Sequence, residues 1–245
     1  MSKRKSLLVA LLGAAAMLAA QAAPVSDAAV LQRLAPDADP KVLAQAYSAV
    51  QCAQASGVGE QAQRLAVIDY SRSSREPRLW VFDLQQGKLL YREHVAHGQG
   101  TGADRAEHFS NRPGSLQSSL GLFLTADTYQ GRNGYSLRME GLEAGINDQA
   151  MARAIVMHGA PYVDPQGAQR MGRLGRSWGC PAVRVAVARP MIDHMKSGQF
   201  LFSYYPDPQW LAQSRLLRCP HGGDAHLTAG THSGTHSHGH EASGG

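Results

Sequence analysis

A change of pattern at Arg64 constrains the fold of this chain more than any other feature. Beyond it the apolar residues come in short runs. Leu65-Ala66-Val67-Ile68, Leu79-Trp80-Val81-Phe82 and Leu89-Leu90-Tyr91 are too short for helices and read as strands. Gln86-Gly87 supplies a hairpin turn between the last two. Further strand runs stand at 121–125, 136–139, 154–157 and 200–205. Two long stretches rich in Gly, Ser, Asn and Arg separate them, at 97–119 and 159–179. Connections of that length in a compact domain are usually functional or disordered. The expected class is mainly β with a smaller helical part (α+β).

Helical spacing appears at both ends of this region. Between 27 and 56, Val30, Leu31 and Leu34 precede Val42, Leu43, Ala46, Tyr47 and Val50, and Pro36 and Pro40 should divide the segment into a short helix and a longer one. Helices are also expected at 186–196 and 207–217.

The two termini differ from the rest. Lys3-Arg4-Lys5, an uncharged Ala/Leu run at 7–20 and Ala20-Gln21-Ala22 have the form of a secretory signal, so 1–22 is read as a signal peptide. Its apolar run is shorter than the ~20 residues of a membrane span. The expectation is an exported protein of the periplasm or cell-wall space, with no stable membrane insertion after cleavage. Six of the eleven histidines (His221, His226, His232, His236, His238 and His240) fall in a Gly/Ser/Thr tail at 220–245. Such a tail suits weak divalent-metal binding or simple solvation. The expected organisation is a signal (1–22), an N-terminal helical segment (23–60), a mainly β domain (61–219) and a disordered His-rich tail (220–245).

Composition removes several classes. At 43% hydrophobic and 18% charged, the chain has enough apolar side chain for a core. Losing Lys3, Arg4 and Lys5 leaves 21 of the 24 Lys and Arg against 19 Asp and Glu, a charge of +2, which excludes a strong nucleic-acid footprint. The run His97-Gly98-Gln99-Gly100-Thr101-Gly102 is not a phosphate loop, because no Gly-Lys-Ser/Thr completes it. With three cysteines, Cys52 and Cys219 are available to pair in an oxidising compartment, leaving Cys180 as a free thiol.

The chemistry points to 154–184. An apolar strand ends in His158-Gly159, a polar loop follows, and Arg176-Ser177-Trp178-Gly179-Cys180-Pro181 then delivers a cysteine among small residues. Cysteine catalysis needs a thiolate, a base or cation to create it, and donors for an oxyanion. Cys180 is the candidate nucleophile and His158 its base. Ser177 is placed either to orient His158 or to line the oxyanion site, and the backbone N–H groups of Gly179 and Cys180 are the expected donors. Arg176 adds positive potential for the thiolate and for a substrate carboxylate. One Cys and one His at this spacing would by themselves also suit a buried structural thiol.

These residues resemble the L,D-transpeptidase catalytic domain (YkuD-type), whose signature is a His, a loop of about fifteen residues, then Ser/Thr-His-Gly-Cys. Here they are His158 and Ser177-Trp178-Gly179-Cys180, with an 18-residue loop, Trp178 in place of the usual His, and Ala182 where Arg or Asn is common. A divergent branch, the murein L,D-transpeptidase catalytic domain proteins, is more similar still. It shares the Gly-Arg-Ser-x-Gly-Cys-Pro-Ala run at 175–182 and the run at 155–163. It also shares His97-Gly98, Phe109-Ser110-Asn111, Gly114-Ser115, Ser118-Ser119-x-Gly121, Gly141-Leu142-Glu143 and Asn147-Asp148.

The resemblance implies a β-sandwich or barrel with the cysteine at the rim of a cleft, acting on peptidoglycan stem peptides without metal or organic cofactor. Cys180 would form a thioester with the third stem residue and expel D-Ala. Transfer to an amine would make a cross-link, and transfer to water would make the protein an L,D-carboxypeptidase. Trp178, His97 and Ser119 would help line the substrate site together with Arg176. A papain-like hydrolase is disfavoured, because there Cys precedes His and starts a helix. A non-catalytic peptidoglycan- or metal-binding protein working through the His-rich tail is the other alternative.

Overall fold

The computed structural model describes residues 23–219; the expected signal peptide and the His-rich tail lie outside them. Along the chain run α1 (Ala28–Leu34), α2 (Pro40–Ala55), β1 (Arg64–Asp69), β2 (Leu79–Asp83), β3 (Lys88–Glu93), β4 (Val95–Ala96), β5 (Gly121–Gly131), β6 (Gly134–Gly141), β7 (Val156–Gly159), α3 (Pro165–Met171), β8 (Ala182–Val183), α4 (Val185–Met195), β9 (Phe200–Tyr204) and α5 (Pro208–Gln213). The helix starts are chemically marked. Asp27 and Asp39 cap α1 and α2 by accepting from Val30 N–H and Lys41 N–H, and Pro40 occupies the first turn of α2.

The nine strands form one sheet in the order β3-β2-β1-β9-β5-β6-β7-β8-β4. Only His94 separates β3 from β4, so the chain passes directly from one end of that order to the other and the sheet is a nearly closed barrel. The pairs β1–β9 and β7–β8 are parallel and the rest antiparallel.

Alternation along the strands splits the core in two. Leu65 and Val67 of β1 pack with Phe200, Phe202, Trp80 and the apolar face of α2. Ala66 and Ile68 face the other way, onto Leu201, Phe123, Met157 and the buried side of α4. Cys52 at the end of α2 is joined by a disulfide to Cys219 beyond α5, across a sequence separation of 167. In the chain-entropy picture that constraint is worth up to about 5 kcal/mol.

Several boundaries differ from the sequence reading. The strand expected at 154–157 begins at Val156, because Ala154 has φ 52° and turns the chain. It therefore contains His158. The helix expected at 207–217 stops at Gln213. The loop at 159–179 holds α3, capped by Asp164 and closed by Gly172 at φ 73°. The Asp-Pro start and Gly stop were visible in the sequence. The two-residue strands β4 and β8 carry no periodic signal, since they exist only through pairing with each other (Val95↔Val183) and, for β8, with β7.

Candidate active site

Cys180 sits on a tight turn just before β8. Ser177 N–H donates to His97 O (2.9 Å) and Gln99 N–H to Ser177 O (2.8 Å), which anchors the turn to the 97–102 segment. Ser177 Oγ accepts from Gly179 N–H (3.1 Å) and donates to Cys180 O (2.6 Å). Gly179 has φ 121°, in the region that favours glycine, and a Cβ there would lie 2.8 Å from Gln117 O and 2.9 Å from Ile155 Cδ1. From the other side, Ser118 Oγ donates to Gly179 O (3.0 Å) and accepts from Gly98 N–H (3.1 Å).

The thiol itself is 8% exposed and points at the start of β7. Its sulfur accepts from Val156 N–H (3.4 Å) and lies 3.7 Å from Ala154 O, which accepts the S–H. Ala154 bears this contact in a left-handed conformation that costs a non-glycine residue about 1 kcal/mol. Burial pushes the Cys180 pKa up, while the Val156 N–H and the charge of Arg153 pull it back.

Parallel pairing of β7 with β8 sets His158 opposite Ala182, two residues past Cys180. The imidazole is buried, which holds its pKa below the ordinary 6.5. Nδ1 lies 3.1 Å from Gly159 O; donation to that carbonyl puts the proton on Nδ1 and leaves the lone pair on Nε2. Among the described residues no hydrogen bond joins His158 to Cys180. Both groups are thus neutral at rest: a thiol and an imidazole, not an ion pair.

Residues 34–204 match the family described as L,D-transpeptidase catalytic domain. The chain belongs to that family. Solved structures similar to this L,D-transpeptidase domain include an L,D-transpeptidase from Mycobacterium smegmatis (15% identity, 59% of each chain, TM-score 0.38). Another is the helical cell shape determining protein of Campylobacter jejuni (10%, 59% of this chain and 47% of that one, TM-score 0.40). A third is an L,D-transpeptidase from Xylanimonas cellulosilytica (14%, 75% of this chain and 96% of that one, TM-score 0.33). The chain spans less than two thirds of the length of the first two. No curated protein matches it.

The L,D-transpeptidase domain uses several expected residues differently. Arg176 Nη1 donates to Gln99 O (3.2 Å) and Gly102 O (2.8 Å), stapling the loop. Arg153, which sequence reasoning missed, is a charge that lowers the Cys180 pKa. Its guanidinium donates to Ser110 O, Ser119 Oγ, Ser115 Oγ and Gln117 O, and so ties the 110–119 loop beside the cysteine. Gly179 N–H is taken by Ser177 Oγ and is not a free oxyanion donor, whereas Cys180 N–H has no hydrogen-bond partner among the described residues. Ser177 binds backbone and does not reach His158.

His97 and Ser119 are both buried and hydrogen-bonded within the protein. Ser119 is buried, donating to Ser110 O (2.9 Å) and accepting from Arg153. His97 is 1% exposed and belongs to a polar network behind the Cys180 turn. Its Nδ1 accepts from Arg78 Nη2 (2.7 Å), and its Nε2 faces Gly102 O (3.4 Å). Burial and the Arg78 charge hold its pKa at about 3. Arg78, 0% exposed, also donates to Val95 O and Arg72 O and stacks over Tyr70, whose pKa burial pushes up to about 12.

Arg184 pairs with Glu93 away from the thiol. The motif pair Glu143 and Asn147 is also structural: Glu143 accepts from Leu122 N–H and Trp210 Nε1, and Asn147 donates to Leu120 O and Leu122 O, which secures the start of β5. Trp178, in contrast, is 66% exposed beside the nucleophile. Among the described residues no group of His, Cys, Asp and Glu could hold a metal ion, and no helix is long and apolar enough to cross a membrane.

Proposed function

We propose that the chain is an exported enzyme acting on the tetrapeptide stem of peptidoglycan through a Cys180 thioester. The observation that supports this reading best is the seating of the one free thiol among the described residues. In an L,D-transpeptidase-family chain, it is held by Val156 N–H and Ala154 O, with a neutral imidazole on the adjoining strand. A buried neutral thiol needs a base when it attacks, and Nε2 of His158 has the lone pair to serve. Sγ bonds to the carbonyl carbon of the third stem residue while its proton passes to His158. The C–N bond to the terminal D-Ala then breaks, and His158 returns the proton to the departing amine. Cys180 N–H is the free donor for the oxyanion. An amine acceptor then yields a cross-link; water yields a shortened stem.

Mass spectrometry of a disaccharide-tetrapeptide incubated with the protein and with Cys180→Ala tests the reading. The expected result is D-Ala loss or a new dimer only with the intact thiol, and the product identifies the acceptor. No product and no acyl adduct on Cys180 would overturn it.

A further inference from the structure

The functional reading leaves open what holds the substrate's negative charge. Arg153 spends both terminal nitrogens on the 110–119 loop, and Nη1 of the half-buried Arg176 is held by Gln99 O and Gly102 O. The long β5–β6 hairpin supplies another arginine. Its ladder runs to the last pair, Gly131↔Gly134, so its tip carries Arg132 out beyond the sheet. There the Arg132 guanidinium lies 5.8 Å from the centroid of the exposed Trp178 ring, two residues before Cys180. Arg132 makes no hydrogen bond or ion pair among the described residues, so all of its N–H donors are available. The same hairpin shows what a committed arginine looks like: Arg138 stacks on Tyr129 and is neutralised by Asp127.

We propose that Arg132 and Trp178 form a carboxylate clamp at the mouth of the site, with Arg132 binding a carboxylate of the stem peptide and Trp178 serving as its platform. This proposal rests on the peptidoglycan reading for the identity of the ligand, but not for the chemistry of the clamp. A guanidinium laid on an aromatic face keeps its planar fork aimed at solvent, in position for two parallel N–H···O bonds to one carboxylate. Arg132 lies at a hairpin tip and Trp178 is 66% exposed, so neither side chain is part of the core, and variants at both keep the fold.

The test has two arms. In the first, Cys180 is alkylated with iodoacetate and with iodoacetamide, reagents that differ only in the carboxylate. The ratio of the two rates should fall about fivefold in Arg132→Gln and in Trp178→Ala, recover only in part in Arg132→Lys, which restores the charge but not the fork, and stay at the wild-type value in Arg138→Gln. In the second arm, KM for the tetrapeptide should rise about fivefold in Arg132→Gln. The effect should vanish for whichever amidated peptide, at the terminal D-Ala or at the third-residue carboxylate, has lost the bound group. An unchanged rate ratio, an equal fall in Arg138→Gln, or a thiol that neither reagent reaches would overturn the clamp. If the ratio behaves as stated while no peptide is turned over, the clamp stands and the peptidoglycan reading fails.

Discussion

Burial of His97 in its neutral form should make this protein less stable in acid. Its Nδ1 accepts a hydrogen bond from a fully buried arginine, so the ring is neutral in the fold. A proton on that nitrogen would remove the bond and set two cations 2.7 Å apart. The folded pKa is about 3 against 6.5 for a free histidine. Between those values the unfolded chain binds one more proton than the native one, so stability rises with pH. The contribution is complete above pH 6.5, is lost progressively below it, and stops changing below pH 3. From pH 6 to pH 4 the loss comes to about 2.5 kcal/mol.

His97→Gln keeps an acceptor for Arg78 and a donor for Gly102 O but has no proton to gain. Urea unfolding of both proteins, followed by the fluorescence of the buried Trp80 and Trp210, gives the stability gap at each pH. The gap should shift by about 2.5 kcal/mol in favour of the variant between pH 6 and pH 4, and the other titrating groups cancel in the difference. A gap independent of pH would refute the neutral-histidine network.

Two further outcomes follow from the site. Gly179→Ala puts a Cβ against the backbone oxygen of Gln117 at a φ that L-residues avoid. It should cost about 2–4 kcal/mol in unfolding free energy and lower D-Ala release at least a hundredfold; wild-type stability and turnover would remove the steric argument for the turn. The neutral Cys180–His158 pair should give kcat/KM an acid limb with its midpoint below pH 6.5, because burial holds the imidazole pKa down, and no alkaline fall before pH 9, because burial holds the thiol pKa up. An alkylation rate that stays flat down to pH 5 would instead indicate a preformed thiolate.

What the sequence determined by itself was whatever is encoded locally. Short apolar runs separated by turn residues specify strands, because alternation and chain stiffness act over a few neighbours. The Pro and Asp signals around 36–40 marked the α1/α2 break for the same reason. The runs around His158 and Cys180 pointed to a cysteine chemistry and to a family. Tertiary structure decided everything that depends on which group stands opposite. His97 is in a Gly-rich run that reads as an open loop, yet Arg78, nineteen residues away, buries it and takes its nitrogen. Arg176 reads as a free cation until Gly102 O, 74 residues away, captures it. Arg153 carries no local signal; only the return of the 110–119 loop gives its donors partners and sets its charge beside the thiol. A side chain's type is written in the chain, but its charge state and free donors depend on its desolvation and its partners, and those exist only once distant segments have packed.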